Sequence, residues 1–116
     1  MKFSYVIKFV DNMNRGVKFY RDELGLALEF ESPGWSEFAT GETTLALHPA
    51  SEKNPAGSVE LGFNVPDVQK FYQDMSTRGI PFSMPPKKQD FGGVLAQFVD
   101  SEGGRCSVAA EHASAT

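Results

Sequence analysis

The feature that most restricts the fold is one pattern of strand, capped helix and helix-ending glycine that occurs twice. Its landmarks return at separations of 54 or 55 residues: Phe9 with Phe63, Val10 with Val65, Asn12 with Asp67, and Gly25 with Gly79. A repeat of this length points to duplication of one supersecondary unit. The tripeptide Lys-Phe-Tyr also occurs twice, at 18–20 and 70–72, but its offset of 52 is out of phase and is read as coincidence.

Each half divides into short elements by side-chain type. Phe3 to Val10 mixes aromatic and β-branched residues and is expected to be a strand. Asn12 is placed to cap a helix over Met13–Leu24, and Gly25 to end it. Met13, Val17, Tyr20 and Leu24 recur at spacings of three and four and make one apolar stripe. Strands are expected at Ala27–Glu31, Trp35–Thr40 and Thr43–His48, separated by turn residues. Pro49 to Gly57 is a Pro-, Ser- and Gly-containing connection. The second half then runs Val59–Val65 as strand, Asp67–Arg78 as helix, and Pro81–Met84, Val94–Val99 and Arg105–Ala110 as strands. One domain over 1–116 is expected, with module one at about 1–48, a linker at about 49–57 and module two at about 58–111.

Composition excludes several classes. A chain of 116 residues with 41% hydrophobic and 22% charged residues is long enough and apolar enough to bury a core, which argues against disorder. Fifteen acidic against 11 basic side chains leave a charge of -4, and such a surface repels a phosphate backbone, so no nucleic-acid partner is expected. Residues Met1 to Val10 are interrupted by Lys2 and Lys8, too short to span a bilayer, and without a signal-peptide cleavage region. No membrane partner is expected. A single cysteine, Cys106, allows no intramolecular disulfide, which suits the cytoplasm.

The order of the local signatures resembles the vicinal-oxygen-chelate superfamily of glyoxalases, bleomycin-resistance proteins and extradiol dioxygenases. Tyr5-Val6-Ile7-Lys8-Phe9-Val10-Asp11-Asn12-Met13, then Phe19-Tyr20 and Leu24-Gly25-Leu26, is similar to its opening strand, helix and helix stop. Pro33-Gly34-Trp35-Ser36-Glu37-Phe38 and Leu45-Ala46-Leu47-His48 look like its third and fourth strands, and Asp100-Ser101-Glu102-Gly103-Gly104 like its final turn. The resemblance covers essentially the whole chain. It implies an α+β fold of two β-α-β-β-β modules forming cupped mixed sheets, with helices on the outer faces. A sheet with a helix on one face leaves the other for a ligand or partner, and a homodimer is expected.

Metal-dependent members of the family hold a divalent cation through four side chains. Carried across by the resemblance, those positions fall on Tyr5, Ala46, Glu60 and Ser107. Glu60 is the one competent first-row ligand among them, because alanine has no donor and neutral tyrosine and serine bind weakly. His48 lies two residues beyond Ala46 on the same strand face, so His48 and Glu60 remain as weak metal candidates. The competing reading makes His48 a polar contact at the pocket mouth or a strand end. No cofactor is expected, the alternative being a weakly bound divalent metal. Glu60 is also the weak catalytic candidate: burial would raise its pKa and suit a base.

Aromatic residues carry the other signal. Phe3, Tyr5, Ile7 and Phe9 share one face of the first strand, and Trp35 borders the same region. The anticipated ligand-binding set is Tyr5, Ile7, Trp35, Phe38, Ala46, His48, Glu60, Phe91 and Ser107, with Phe91-Gly92-Gly93 as a mobile flap in a stretch, Pro85 to Gly93, rich in Pro and Gly. A core or dimer-interface role competes for Phe3 and Phe9. The expected function is small-molecule binding through an aromatic-lined cavity with a degenerate metal site. The alternative is a glyoxalase- or dioxygenase-like enzyme with an incomplete or displaced metal site.

Overall fold

Residues 1–90 and 92–111 are described by the structure, a computed structural model. The order is β1 (Lys2–Val10), α1 (Met13–Lys18), a π-helical turn (Phe19–Glu23), β2 (Ala27–Ser32), β3 (Trp35–Ala39) and β4 (Thr44–Pro49). Then come β5 (Val59–Val65), α2 (Val68–Thr77), β6 (Phe82–Lys88), β7 (Val94–Val99) and β8 (Arg105–Ala110). The fold is α+β, with the order β-α-β-β-β occurring twice. Two compact units are present: Ser4–Glu60, called here the first unit, and Met1–Phe3 with Leu61 onward, the second. The leading residues thus join the later unit, where Phe3 packs on Phe63 with ring centroids 5.6 Å apart.

In the first unit the strands lie in the order β2-β3-β4-β1. β1 and β4 are parallel, and the β2–β3 and β3–β4 pairs are antiparallel. A parallel pair needs a long crossover, and α1 with the β2–β3 hairpin supplies it. Helix and sheet meet through Val17, Phe38 and Leu47, all buried, surrounded by Val10, Met13, Tyr20, Leu26, Leu28 and Leu45. Because strand side chains alternate, the residues between these point to the opposite face.

Asn12 has extended backbone and its Oδ1 accepts the Arg15 N–H at 2.9 Å, which satisfies one unpaired donor of the first turn. The helix expected to run unbroken to Leu24 does not. After Lys18 the backbone widens: the Leu24 N–H donates to the Phe19 carbonyl five residues back, at 3.1 Å. This turn leaves Phe19 exposed and sets Tyr20 against Phe38, 5.8 Å between centroids. Gly25 then closes the segment at φ +77°, a left-handed conformation that disfavours side chains with a Cβ.

The second unit repeats the arrangement as β5-β8-β7-β6, with β5 and β8 parallel. Its core is Val65, Val68, Ala96 and Val108, packed by Phe63, Phe71, Phe82 and Phe98. Asp67 caps α2 by accepting the Lys70 N–H at 3.0 Å, and Gly79 follows at φ +90°. The strand expected at Pro81–Met84 is longer: β6 continues through Pro85 and Pro86 to Lys88. β6 is the edge strand and its register shifts between Met84 and Lys87. Pro85 and Pro86 therefore sit where the ladder is already irregular. The chain turns back where the Gln89 N–H donates to the Gly93 carbonyl at 2.8 Å. Phe91, the expected flap aromatic, lies outside the described residues.

Candidate ligand-binding face

The helix-free face of the first unit is assembled by register. On β1 and β4, Tyr5 lies beside Thr44, Ile7 beside Ala46 and Phe9 beside His48. The β3–β4 pairing brings Glu37 opposite Ala46, and β2–β3 brings Phe30 opposite Glu37 and Ser32 opposite Trp35. Ile7, Phe9 and Ala46 are buried there, with Tyr5, Trp35 and Ala50 packed against them. Sequence alone pointed to Tyr5, Ile7, Trp35, Ala46 and His48, and these five fall together on this face.

Three rings and a carboxylate fix its polar geometry. The Trp35 Nε1–H donates to Glu37 Oε2 at 2.6 Å, which holds the indole in place. His48 meets Trp35 edge-on at 6.1 Å between centroids and Phe9 at 5.6 Å. Its Nδ1 lies 2.8 Å from the Pro49 carbonyl oxygen, which only accepts, so Nδ1 carries a proton and Nε2 is left as the free ring nitrogen. From the far side of β1, the Lys8 Nζ donates to the Gly57 carbonyl at 2.7 Å. The Phe9 N–H and carbonyl bond to Ser58 and Gly57, pinning the connection between the modules along β1.

Phe38 does not belong to this set. It is fully buried between sheet and helix, in register with Leu45 and Leu28. Trp35 and Phe38 are three residues apart on a strand, and an odd separation puts side chains on opposite faces. The residue that shares the Trp35 face is Glu37; alternation already sets Glu37 and Phe38 on opposite faces, and of the two only Phe38 was in the anticipated set. Phe30, 53% exposed, was missed because a register shift between Leu28 and Phe30 changes the parity of β2.

In the second unit, Ser107 is buried on the helix-free face, in register with Gln97 and Gly62. Glu60, the last residue of the first unit, is 5% exposed and lies on the side of β5 opposite Phe63 and Val65. Cys106 is buried toward the helix, opposite Phe98, and so packs as a small apolar residue.

The donor chemistry does not fit the metal of the family pattern. The Ala46 methyl stands, fully buried, at one of the four positions. Tyr5 and Ser107 offer neutral oxygens, and His48 two residues further on holds its ring against Phe9 and Trp35. Among the described residues no three His, Cys, Asp or Glu side chains come together. Two open clefts beside α1, one lined by Asn12, Met13, Asn14, Glu31, Ser32 and Pro33, contain none of the anticipated residues.

Comparison with known proteins agrees with the element order. YraH of Bacillus subtilis, an uncharacterized protein, is 25% identical over 118 residues, covering 88% of this chain and 92% of YraH. A hypothetical protein of Bacillus halodurans superposes with a TM-score of 0.80 at 18% identity, covering 99% of this chain and 97% of its own. Methylmalonyl-CoA epimerase of Mycobacterium tuberculosis gives 0.78 at 12% identity, covering 97% and 89%; both likenesses are of fold. The model of the Glyoxalase/Bleomycin resistance protein/Dioxygenase superfamily matches residues 2–106, and the chain belongs to that family.

Proposed function

We propose that the protein binds a small organic molecule against the helix-free face of its first unit, without a catalytic divalent metal. The observation that carries this reading is the Trp35 indole, locked by Glu37 at 2.6 Å and flanked by His48 on a face lined by Tyr5, Ile7 and Ala46. A fixed aromatic plane with few polar groups around it suits a planar or amphipathic ligand held by stacking and apolar burial. The epimerase likeness brings no substrate with it, because 12% identity speaks for the scaffold alone. In this reading the protein is a homodimer, and a single cysteine, which allows no intramolecular disulfide, fits a reducing compartment such as the cytoplasm. No described helix is long and apolar enough to cross a membrane.

Trp35 is the single tryptophan, so its emission reports this face directly. Screening planar aromatic compounds by Trp35 quenching is expected to find binders, and Trp35→Ala to weaken them, as read by calorimetry, by about 1–3 kcal/mol. Binding indifferent to Trp35 would move the site elsewhere. Zinc or nickel is expected to leave the melting temperature unchanged, since a tight ligand of the folded state must raise it. Stoichiometric metal lost on His48→Ala, or lactoylglutathione formation by the purified protein, would restore the enzyme reading.

A further inference from the structure

Glu37 is an acidic side chain set among the aromatic residues of this face, and holding an indole in place does not require a charge. It is half-buried between its register partners Phe30 and Ala46. Its Oε2 takes the Trp35 N–H, a neutral donor that leaves the negative charge uncompensated. Among the described residues no lysine or arginine pairs with it; the ion pairs Arg21–Asp22 and Lys70–Asp74 lie elsewhere. A carboxylate drawn partly out of water beside aromatic rings is costly unless a cation approaches it.

The rings point the same way. Trp35 and the exposed Phe30 flank Glu37, and an aromatic face is electron-rich, attracting a cation held against it. His48, with Nδ1–H committed to Pro49, leaves Nε2 as a further acceptor for a ligand N–H. The charge of -4 on the whole chain favours the approach of positive ligands. We propose that Glu37 determines specificity, and that the ligand of this face is an organic cation: a planar ring bearing a quaternary or protonated nitrogen. The inference rests on the binding reading above and adds the charge of the ligand to it.

Three matched probes test it at neutral pH on the whole protein: N-methylquinolinium, quinoline, and quinoline-2-carboxylate. They share the ring and differ in charge. Trp35 quenching and calorimetry are both read. N-methylquinolinium is expected to bind about tenfold more tightly than quinoline, with the carboxylate weakest. Glu37→Gln keeps an oxygen acceptor for the indole and removes the charge, so it is expected to erase that tenfold preference. Circular dichroism checks that the variant is folded. Equal affinity for cation and neutral ring, or a preference that survives Glu37→Gln, overturns the assignment. Quinoline binding that needs Trp35 but shows no charge preference removes the cation and keeps the binding reading. No response to any of the three probes removes both.

Discussion

At Gly16 a single hydrogen sets how closely α1 approaches its sheet. A Cβ there would stand 3.2 Å from Leu47 Cδ1 and 3.3 Å from Val10 Cγ1. Gly16 is four residues past the cap Asn12, and the residue four past the cap Asp67 is Phe71, which packs on Phe82 and Phe98. The two units thus solve the same helix-on-sheet contact with opposite side-chain volumes. Gly16→Leu is expected to destabilise by about 1–3 kcal/mol through overpacking, read as a lower urea midpoint. An unchanged midpoint would show that α1 can lift off its sheet freely. Phe38 and Trp35 make a second contrast at this scale. Phe38→Ala is expected to cost about 3–5 kcal/mol of stability because it empties a fully buried site. Trp35→Ala acts mainly on binding.

Helix and turn ends decide the elements. α1 has six residues, too few to be stable alone, so its cap and its contact with the sheet hold it. Asn12→Ala removes the acceptor for the Arg15 N–H and is expected to cost about 1 kcal/mol, measured by chemical unfolding. At the other end of the segment, Gly25 and Gly79 have φ of +77° and +90° with open space around them, so an added side chain is opposed by backbone conformation alone. Gly79→Ala is expected to lose about 1–2 kcal/mol, whereas Gly34→Ala, at a turn without positive φ, stays near neutral. Equal effects at the two positions would contradict the left-handed assignment. The Lys70–Asp74 pair on α2 is exposed and contributes little.

At the scale of the whole molecule, each unit covers one sheet face with a helix and leaves aromatic or polar side chains on the other. The family often uses two chains together, and we expect sedimentation at micromolar concentration to give about twice the 12.7 kDa chain mass. A monomer at that concentration would remove the homodimer from the reading. If a dimer forms, its melting temperature is expected to rise with protein concentration, because association stabilises the folded state by mass action.

The duplicated pattern, the caps Asn12 and Asp67, the stops Gly25 and Gly79, and three strands to the residue (Val59–Val65, Val94–Val99 and Arg105–Ala110) were legible in the sequence. They rest on local physics: side-chain period, capping acceptors and the freedom of glycine at positive φ. The phase of Lys-Phe-Tyr was equally readable, since Phe71 packs against the core and Phe19 is exposed. What the sequence left undecided depends on contacts between distant segments. The π-helical turn after Lys18, the continuation of β6 through Pro85 and Pro86, and the register shift that turns Phe30 toward the Trp35 face have no local signature. The Trp35–Glu37 bond is intermediate. Alternation puts both side chains on one face, but the packing of β1, β3 and β4 turns that shared face into a wall on which a half-buried carboxylate stands among aromatic and apolar side chains, because register across strands, not order along one, sets which side chains meet.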